Sequence, residues 1–295
     1  MTTSATRIMT QTQLLHALHP VVEGELNRHL TMAKEWFPHD YVPWSEGRNF
    51  DGLMGGEAWQ ESDSPVNDVA RTALVVNLLT EDNLPSYHFE IASTFGRDKA
   101  WGDWVHRWTA EEARHGIAMR DYLLVTRTVD PVALERFRME HMSNGYSSPN
   151  GEELLRNLAY VSFQELATRV SHRNTGKYAG DPMCDRLLAR IAADENLHMI
   201  FYRNMLGAAF DIAPDQTMRA VTDVVTNFQM PGADIPGFQR KAMDIAIAGI
   251  YDLRQHCDEV VAPVLRFWNV FDRTDLGAEG DQARAELATF MDALG

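Results

Sequence analysis

The chain has 295 residues, of which 45% are hydrophobic and 23% charged, and it carries a formal net charge of −15. That composition is globular and excludes a low-complexity chain, and the acidic balance argues against nucleic acid or an anionic membrane surface as the main partner. Two cysteines, Cys184 and Cys257, cannot build a disulfide framework, and no apolar run approaches the ~20 residues of a bilayer span.

Apolar residues recur three and four apart almost throughout, so the pattern predicts an all-α protein. In chain order, helices are expected near 12–32, 66–95, 99–127, 131–142, 151–179, 182–210, 214–228, 236–256, 258–271 and 281–293. Ser64-Pro65, Asp130-Pro131 and Asp181-Pro182 read as N-caps followed by a proline at the first helical position. Gly96, Gly145 and Gly180 read as stops. The first residues, about 1–11, are expected to be flexible and lack a secretory h-region. Residues 36–64, rich in Gly, Pro and aromatics, are expected to wrap the body as an ordered loop. No linker separates two compositions, so residues 1–295 are taken as one domain. Helices longer than 25 residues favour a bundle over short crossed rods. Pro85, four residues after Glu81, removes the donor to the Glu81 carbonyl and predicts a kink or bulge there.

The chemistry-bearing pattern is Glu112-Ala-Arg-His115 and Glu195-Asn-Leu-His198. Residues three apart share a helix face, so each motif offers a carboxylate and an imidazole to one point, a donor set suited to iron or manganese. In a chain with 11 histidines, chance supplies roughly one such pair, and a surface Glu beside a His is commonplace.

The repeat spacing is more specific. Glu81 stands 31 residues before Glu112, and Glu165 stands 30 before Glu195. Gly96 and Gly180 each fall 15 residues after the lone Glu. With helices ending at those glycines, the chain runs out roughly 20 Å and returns the same distance, at about 1.5 Å per residue. Two such hairpins bring four carboxylates and two imidazoles to one level, the arrangement of a ferritin-like di-iron four-helix bundle with flanking helices. Glu111 and Asp194, four residues before the histidines, share that face too; the matched three-residue spacing favours Glu112 and Glu195.

The segments Thr-Glu81-Asp-Asn-Leu-Pro85, Trp108-Thr-Ala-Glu-Glu112-Ala-Arg-His115, Ser162-Phe-Gln-Glu165-Leu-Ala-Thr168 and Ala-Asp194-Glu195-Asn-Leu-His198 resemble those of the soluble acyl-acyl-carrier-protein desaturases. The similarity runs from the Trp36 segment to Leu276-Gly-Ala-Glu-Gly280. With no long transit-like leader, it is closest in kind to actinobacterial versions. The resemblance implies two iron ions, with Glu81 and Glu165 as terminal ligands, Glu112 and Glu195 as bridges, and His115 and His198 capping one iron each. It implies that Asp194 orients a ligand histidine, that Trp36 relays electrons, and that Thr168 lies beside the oxygen site. It further implies O2-dependent insertion of a cis double bond into a carrier-bound acyl chain, a ferredoxin-type electron donor, a homodimer and a cytoplasmic location.

Leu84, Phe89, Phe163 and Met199 are candidates to line an acyl groove. Acyl carrier proteins are acidic, so docking to this acidic chain calls for a basic patch. Arg28, His29 and Lys34 form one candidate, and Arg169, Arg173 and Lys177 another. A di-iron hydroxylase acting on a carrier-bound substrate would share all six ligands; an iron store would need neither Trp36 nor an acyl groove, and a paralogue without turnover could keep the metal site.

Overall fold

The computed structural model describes residues 8–230, 232, 235 and 237–294, and among them every extended element is helical. Of the N-terminal stretch expected to be flexible, residues 1–7 lie outside the described residues. Met9 exchanges two hydrogen bonds with Gln216, and Thr10 closes a capping box with Gln13 at the start of α1 (Gln11–Met32).

The helix expected over 66–95 is two helices, α2 (Asp68–Asp82) and α3 (Leu84–Phe95), broken at Asn83. Pro85 sits in the first turn of α3, where its missing N–H costs nothing. Ser64 does not cap α2. Its hydroxyl bonds the Val66 carbonyl, and the cap is Asn67, whose side chain accepts from the Ala70 N–H. Then follow α4 (Lys99–Val125), α5 (Pro131–Asn144), α6 (Leu154–Ala179), α7 (Pro182–Ile212), α8 (Pro214–Thr226) and α9 (Phe238–Ile247). The break expected between 256 and 258 falls earlier, at Gly249, whose φ of 70° ends the α9 region. Beyond it α10 (Leu253–Gln255), a π-helical turn (His256–Val261) and α11 (Ala262–Phe267) run on as one rod, and α12 (Ala278–Leu294) closes the chain. Pro263 lacks the N–H that an uninterrupted α-helix would donate, and the π turn lies immediately before it.

Helices α2, α4, α7 and α6 form a closed ring of neighbours, with α1 laid against α4 and α7. The α6–α7 hairpin turns at Gly180, at φ 71°, and Gly176 allows the close approach: a Cβ there would stand 3.1 Å from the Asp185 Cα. Two apolar clusters fill the bundle. One joins the start of α2 to the end of α4 and the start of α7 through Leu74, Leu78, Met119, Leu123 and Leu188. The other joins Trp104, Phe163, Phe201, Met205 and Phe210 to α8, α11 and α12. Between these clusters, along α4 and α7, comes a layer of buried acids and histidines.

The loop preceding α2 carries an isolated bridge between Phe50 and Glu57. Arg127 pins it: its guanidinium donates to Asp63 Oδ2 at 2.9 Å and to the carbonyls of Glu57 and Ala58 at 3.2 Å each. No helix of the described residues is long and apolar enough to cross a membrane.

Candidate metal centre

The six residues singled out by spacing converge from four helices: Glu81 on α2, Glu112 and His115 on α4, Glu165 on α6, and Glu195 and His198 on α7. All six are buried. They fall into two groups, Glu81–Glu112–His115–Glu195 and Glu112–Glu165–Glu195–His198. Within each group the ligand atoms lie within 4.8 Å of one another, and Glu112 and Glu195 belong to both. His115 Nδ1 is 3.1 Å from Glu195 Oε1, 3.4 Å from Glu112 Oε2 and 3.7 Å from Glu81 Oε2. His198 Nδ1 is 2.7 Å from Glu112 Oε1 and 3.6 Å from Glu165 Oε2.

These inward atoms are the ones left without hydrogen bonds. His115 Nδ1, His198 Nδ1, Glu112 Oε1, Glu165 Oε2 and Glu195 Oε1 are all buried and unpartnered. Burial pushes the Glu195 carboxyl well above its ordinary range, and the Glu112 and Glu165 charges add to that. Burial works the same way on Glu112, yet the His115 and His198 rings beside it hold its carboxyl below the ordinary range. Orphaned buried polar atoms and crowded carboxylates are costly alone. Two divalent cations would balance four carboxylates and occupy both nitrogens, so the donor set fits a two-metal centre.

The outward atoms are all engaged. Trp108 Nε1 donates to Glu165 Oε1 at 3.0 Å, and His172 Nε2 to Glu81 Oε1 at 2.9 Å. Asp194 Oδ2 accepts from Trp36 Nε1 at 2.7 Å and Arg114 Nη2 at 2.9 Å, and it faces His115 Nε2 at 3.4 Å. Arg190 holds the other Asp194 oxygen. Glu111 Oε2 receives His198 Nε2 at 2.9 Å and His29 Nε2 at 2.8 Å, and Arg107 holds Oε1. Glu111 therefore bonds the outer nitrogen of His198 and lies outside both four-residue groups, but it is not idle.

Sequence reasoning missed His29, His172, Arg107 and Arg190 in this layer. A signal for the arginines exists: each stands four residues before the acid it holds, Arg107 before Glu111 and Arg190 before Asp194. Nothing local marks His29 or His172, which meet their partners across more than 80 residues of chain. The candidate basic patch also changes. His29 is fully buried, and Arg28 is ion-paired to Glu25 at 2.6 Å, whereas Lys34 is exposed. In the second candidate patch Arg173 pairs with Asp185, while Arg169 and Lys177 are exposed.

A narrow cleft opens beside the cluster, with Glu81, Glu112 and Trp108 at one end and Asn157 at the other. Along α6 it runs from Asn157 to Thr168, roughly 16 Å at about 1.5 Å per residue. Leu84 lines it as expected; Phe89, Phe163 and Met199 do not. Phe89 points outward at 67% exposure, and Phe163 and Met199 are packed in the aromatic cluster. Tyr87, Tyr160 and Ile91 take their place. The Thr168 hydroxyl borders the cleft, donating to its own helix at the Gln164 carbonyl and accepting from the Gln164 amide, each at 3.0 Å.

Fold and site together define a ferritin-like helical protein with a buried carboxylate–histidine centre. Residues 10–294 match the fatty acid desaturase family model, and the chain belongs to that family. It is 57% identical over 293 residues to a putative acyl-[acyl-carrier-protein] desaturase, DesA1, of Mycobacterium tuberculosis, covering 97% of this chain and 86% of the relative. It is 30% identical over 275 residues to the chloroplastic stearoyl-[acyl-carrier-protein] 9-desaturase 2 of Oryza sativa, covering 88% and 69%. The X-ray structure of the putative acyl-ACP desaturase DesA2 from M. tuberculosis superposes with a TM-score of 0.75 at 32% identity, covering 92% of this chain and 98% of that one.

Proposed function

We propose that the protein is an acyl-[acyl-carrier-protein] desaturase that holds two iron ions and introduces a cis double bond into a carrier-bound acyl chain. The observation that carries this reading is the pair of four-residue groups sharing Glu112 and Glu195 beside an elongated cleft. Family membership and the relatives' names support the substrate class. Glu81 and Glu165 would be terminal ligands, His115 and His198 would each cap one ion, and Glu112 and Glu195 would bridge.

The balanced reaction takes one acyl chain, O2, two electrons and two protons to the olefin and two waters. When bound, the iron pair supplies the oxidising chemistry that an unactivated methylene demands. The chain's own residues do the rest. Leu84, Ile91 and Tyr160 confine the acyl chain and exclude water, which fixes which carbons face Glu112 and Trp108. Asp194 and Glu111 hold the ligand histidines in the tautomer that presents Nδ1 inward. Thr168, at the end of the cleft nearest the cluster, can turn its hydroxyl toward the oxygen site. Trp36, bonded through Asp194 to His115, is the proposed path for electrons from a ferredoxin-type donor. Lys34, with Arg28 once released from Glu25, is the proposed contact for the acidic carrier. The chain is read as one domain, acting as a cytoplasmic homodimer.

The test is anaerobic reconstitution with iron, followed by turnover of carrier-bound acyl chains of several lengths with a ferredoxin reducing system. Loss of two hydrogens from the product supports desaturation. Gain of an oxygen atom assigns a hydroxylase instead, and uptake of many irons per chain assigns a store.

A further inference from the structure

We propose that Glu111, fixed by His29 and Arg107, is the positioning residue for His198, and that it sets the strength of one metal position independently of the other. The inference rests on the two-metal reading of the cluster.

Its basis is a crossed arrangement. Arg107, Glu111, Glu112 and His115 recur in spacing as Arg190, Asp194, Glu195 and His198. In each set the arginine holds the acid one turn on. The acid then bonds the histidine of the opposite helix: Asp194 on α7 faces His115 on α4, and Glu111 on α4 faces His198 on α7. A further donor completes each side, Trp36 Nε1 from the wrapping loop for Asp194 and His29 Nε2 from α1 for Glu111. Both donors lie over the histidine they serve. The Trp36 ring is stacked 6.4 Å from His115, and the His29 ring 5.7 Å from His198.

The chemistry of the Glu111 side follows from its atoms. A carboxylate at His198 Nε2 places the ring proton there and leaves the Nδ1 lone pair directed at Glu112 and Glu165. His29 must give its own Nε2 proton to Glu111, because a carboxylate only accepts. Its Nδ1 is buried with no hydrogen-bond partner, and its ring stands edge-on to Trp104 at 5.0 Å. With Nε2 committed to Glu111 and the ring packed edge-on to Trp104, His29 serves as a fixed donor. Together with Arg107, which holds the other oxygen, it fixes the Glu111 carboxylate against His198. Removing Glu111 frees the His198 ring to rotate but leaves His115 and Asp194 untouched.

The test is anaerobic titration of the full chain with ferrous iron by calorimetry, alongside cobalt(II) titration followed by visible absorption. Wild type is expected to take two ions. In a Glu81→Ala background, which retains the Glu165–His198 position, Glu111→Gln is expected to weaken the remaining ion by about ten- to a hundredfold. In a Glu165→Ala background it is expected to leave the remaining ion unchanged. His29→Leu is expected to weaken the same ion as Glu111→Gln, and His29→Gln, which keeps an N–H toward Glu111, is expected to restore most of it. Should Glu111→Gln misfold, Glu111→Asp retains the charge and is expected to shift the cobalt spectrum of that ion alone. Equal weakening of both positions, or no weakening in the Glu81→Ala background, overturns the proposal. Fewer than two ions in wild type overturns the two-metal reading itself, a result distinct from failure of the Glu111 role.

Discussion

Trp36 Nε1 lies 2.7 Å from Asp194 Oδ2, the same oxygen that faces His115 Nε2 at 3.4 Å, so an aromatic ring from the wrapping loop is two contacts from the cluster. Arg114 stacks over the Trp36 ring at 4.4 Å while donating to that same carboxylate. Burial works against the charge on Asp194, yet the bonds from His115 and Trp36 and the Arg190 charge keep its carboxyl well below the ordinary range.

Replacing Trp36 with Phe removes the indole donor but keeps the buried ring. The variant should lose about 1–3 kcal/mol, the usual cost of one bond to a charged acceptor. On the electron-path reading it should still bind two ferrous ions while turnover falls when the protein reductant is limiting. Chemical denaturation and reductant-dependent rates measure the two effects, and unchanged rates at every reductant concentration would remove Trp36 from the path.

The shared carboxylates make unequal predictions for the ligands. Glu112 belongs to both groups, so Glu112→Ala should abolish binding of both ions. Glu81 belongs to one, so Glu81→Ala should leave about one ion per chain. Elemental analysis after gel filtration gives the ratio directly. Equal loss in the two variants would contradict the bridging assignment.

His256 predicts an acid-side loss of stability away from the cluster. Burial pushes its pKa down to about 4; the ring stacks on Phe228 at 4.5 Å and Nδ1 meets the Tyr251 hydroxyl at 2.8 Å. The unfolded value is about 6.5. Between those two pH values the unfolded chain binds the extra proton, so stability rises with pH. The contribution is complete above about 6.5 and lost as pH falls toward 4, at most about 3 kcal/mol. Urea midpoints for wild type and His256→Phe should converge as pH drops through that window. Parallel curves would show that this histidine contributes nothing to the acid response.

Arg127 should govern the wrapping loop. It is buried, sits at φ 53°, and ties Asp63 to three loop carbonyls. Arg127→Ala removes the guanidinium from Asp63 and from three loop carbonyls at once and is expected to loosen the loop. Arg127→Lys should recover only part, since an ammonium cannot span the fork. Limited proteolysis should report it first, as faster cleavage within residues 47–60; resistance equal to wild type would show that the loop holds by its other contacts.

What the primary structure settles by itself is what repeats locally. The helical period, the capping residues Asp130 and Asp181, and the stops Gly96 and Gly180 are short-range signals, and the helices obey them. The four segments that meet in the cluster were legible because side chains converging on one point must recur at a fixed helical phase and height, which leaves a spacing along the chain. Other features had to wait for packing. Asn67 rather than Ser64 caps α2, and the last long helices divide at Gly249, because competing local signals are decided by neighbours. Phe89 faces outward and Phe163 inward although both read simply as apolar. His29 and His172 reach the cluster across long stretches of chain, and a lone buried histidine has no periodic signature to announce it. Only the tertiary structure could supply their roles, because hydrogen bonds between distant helices depend on which faces meet, and that is set by the packing of the whole core.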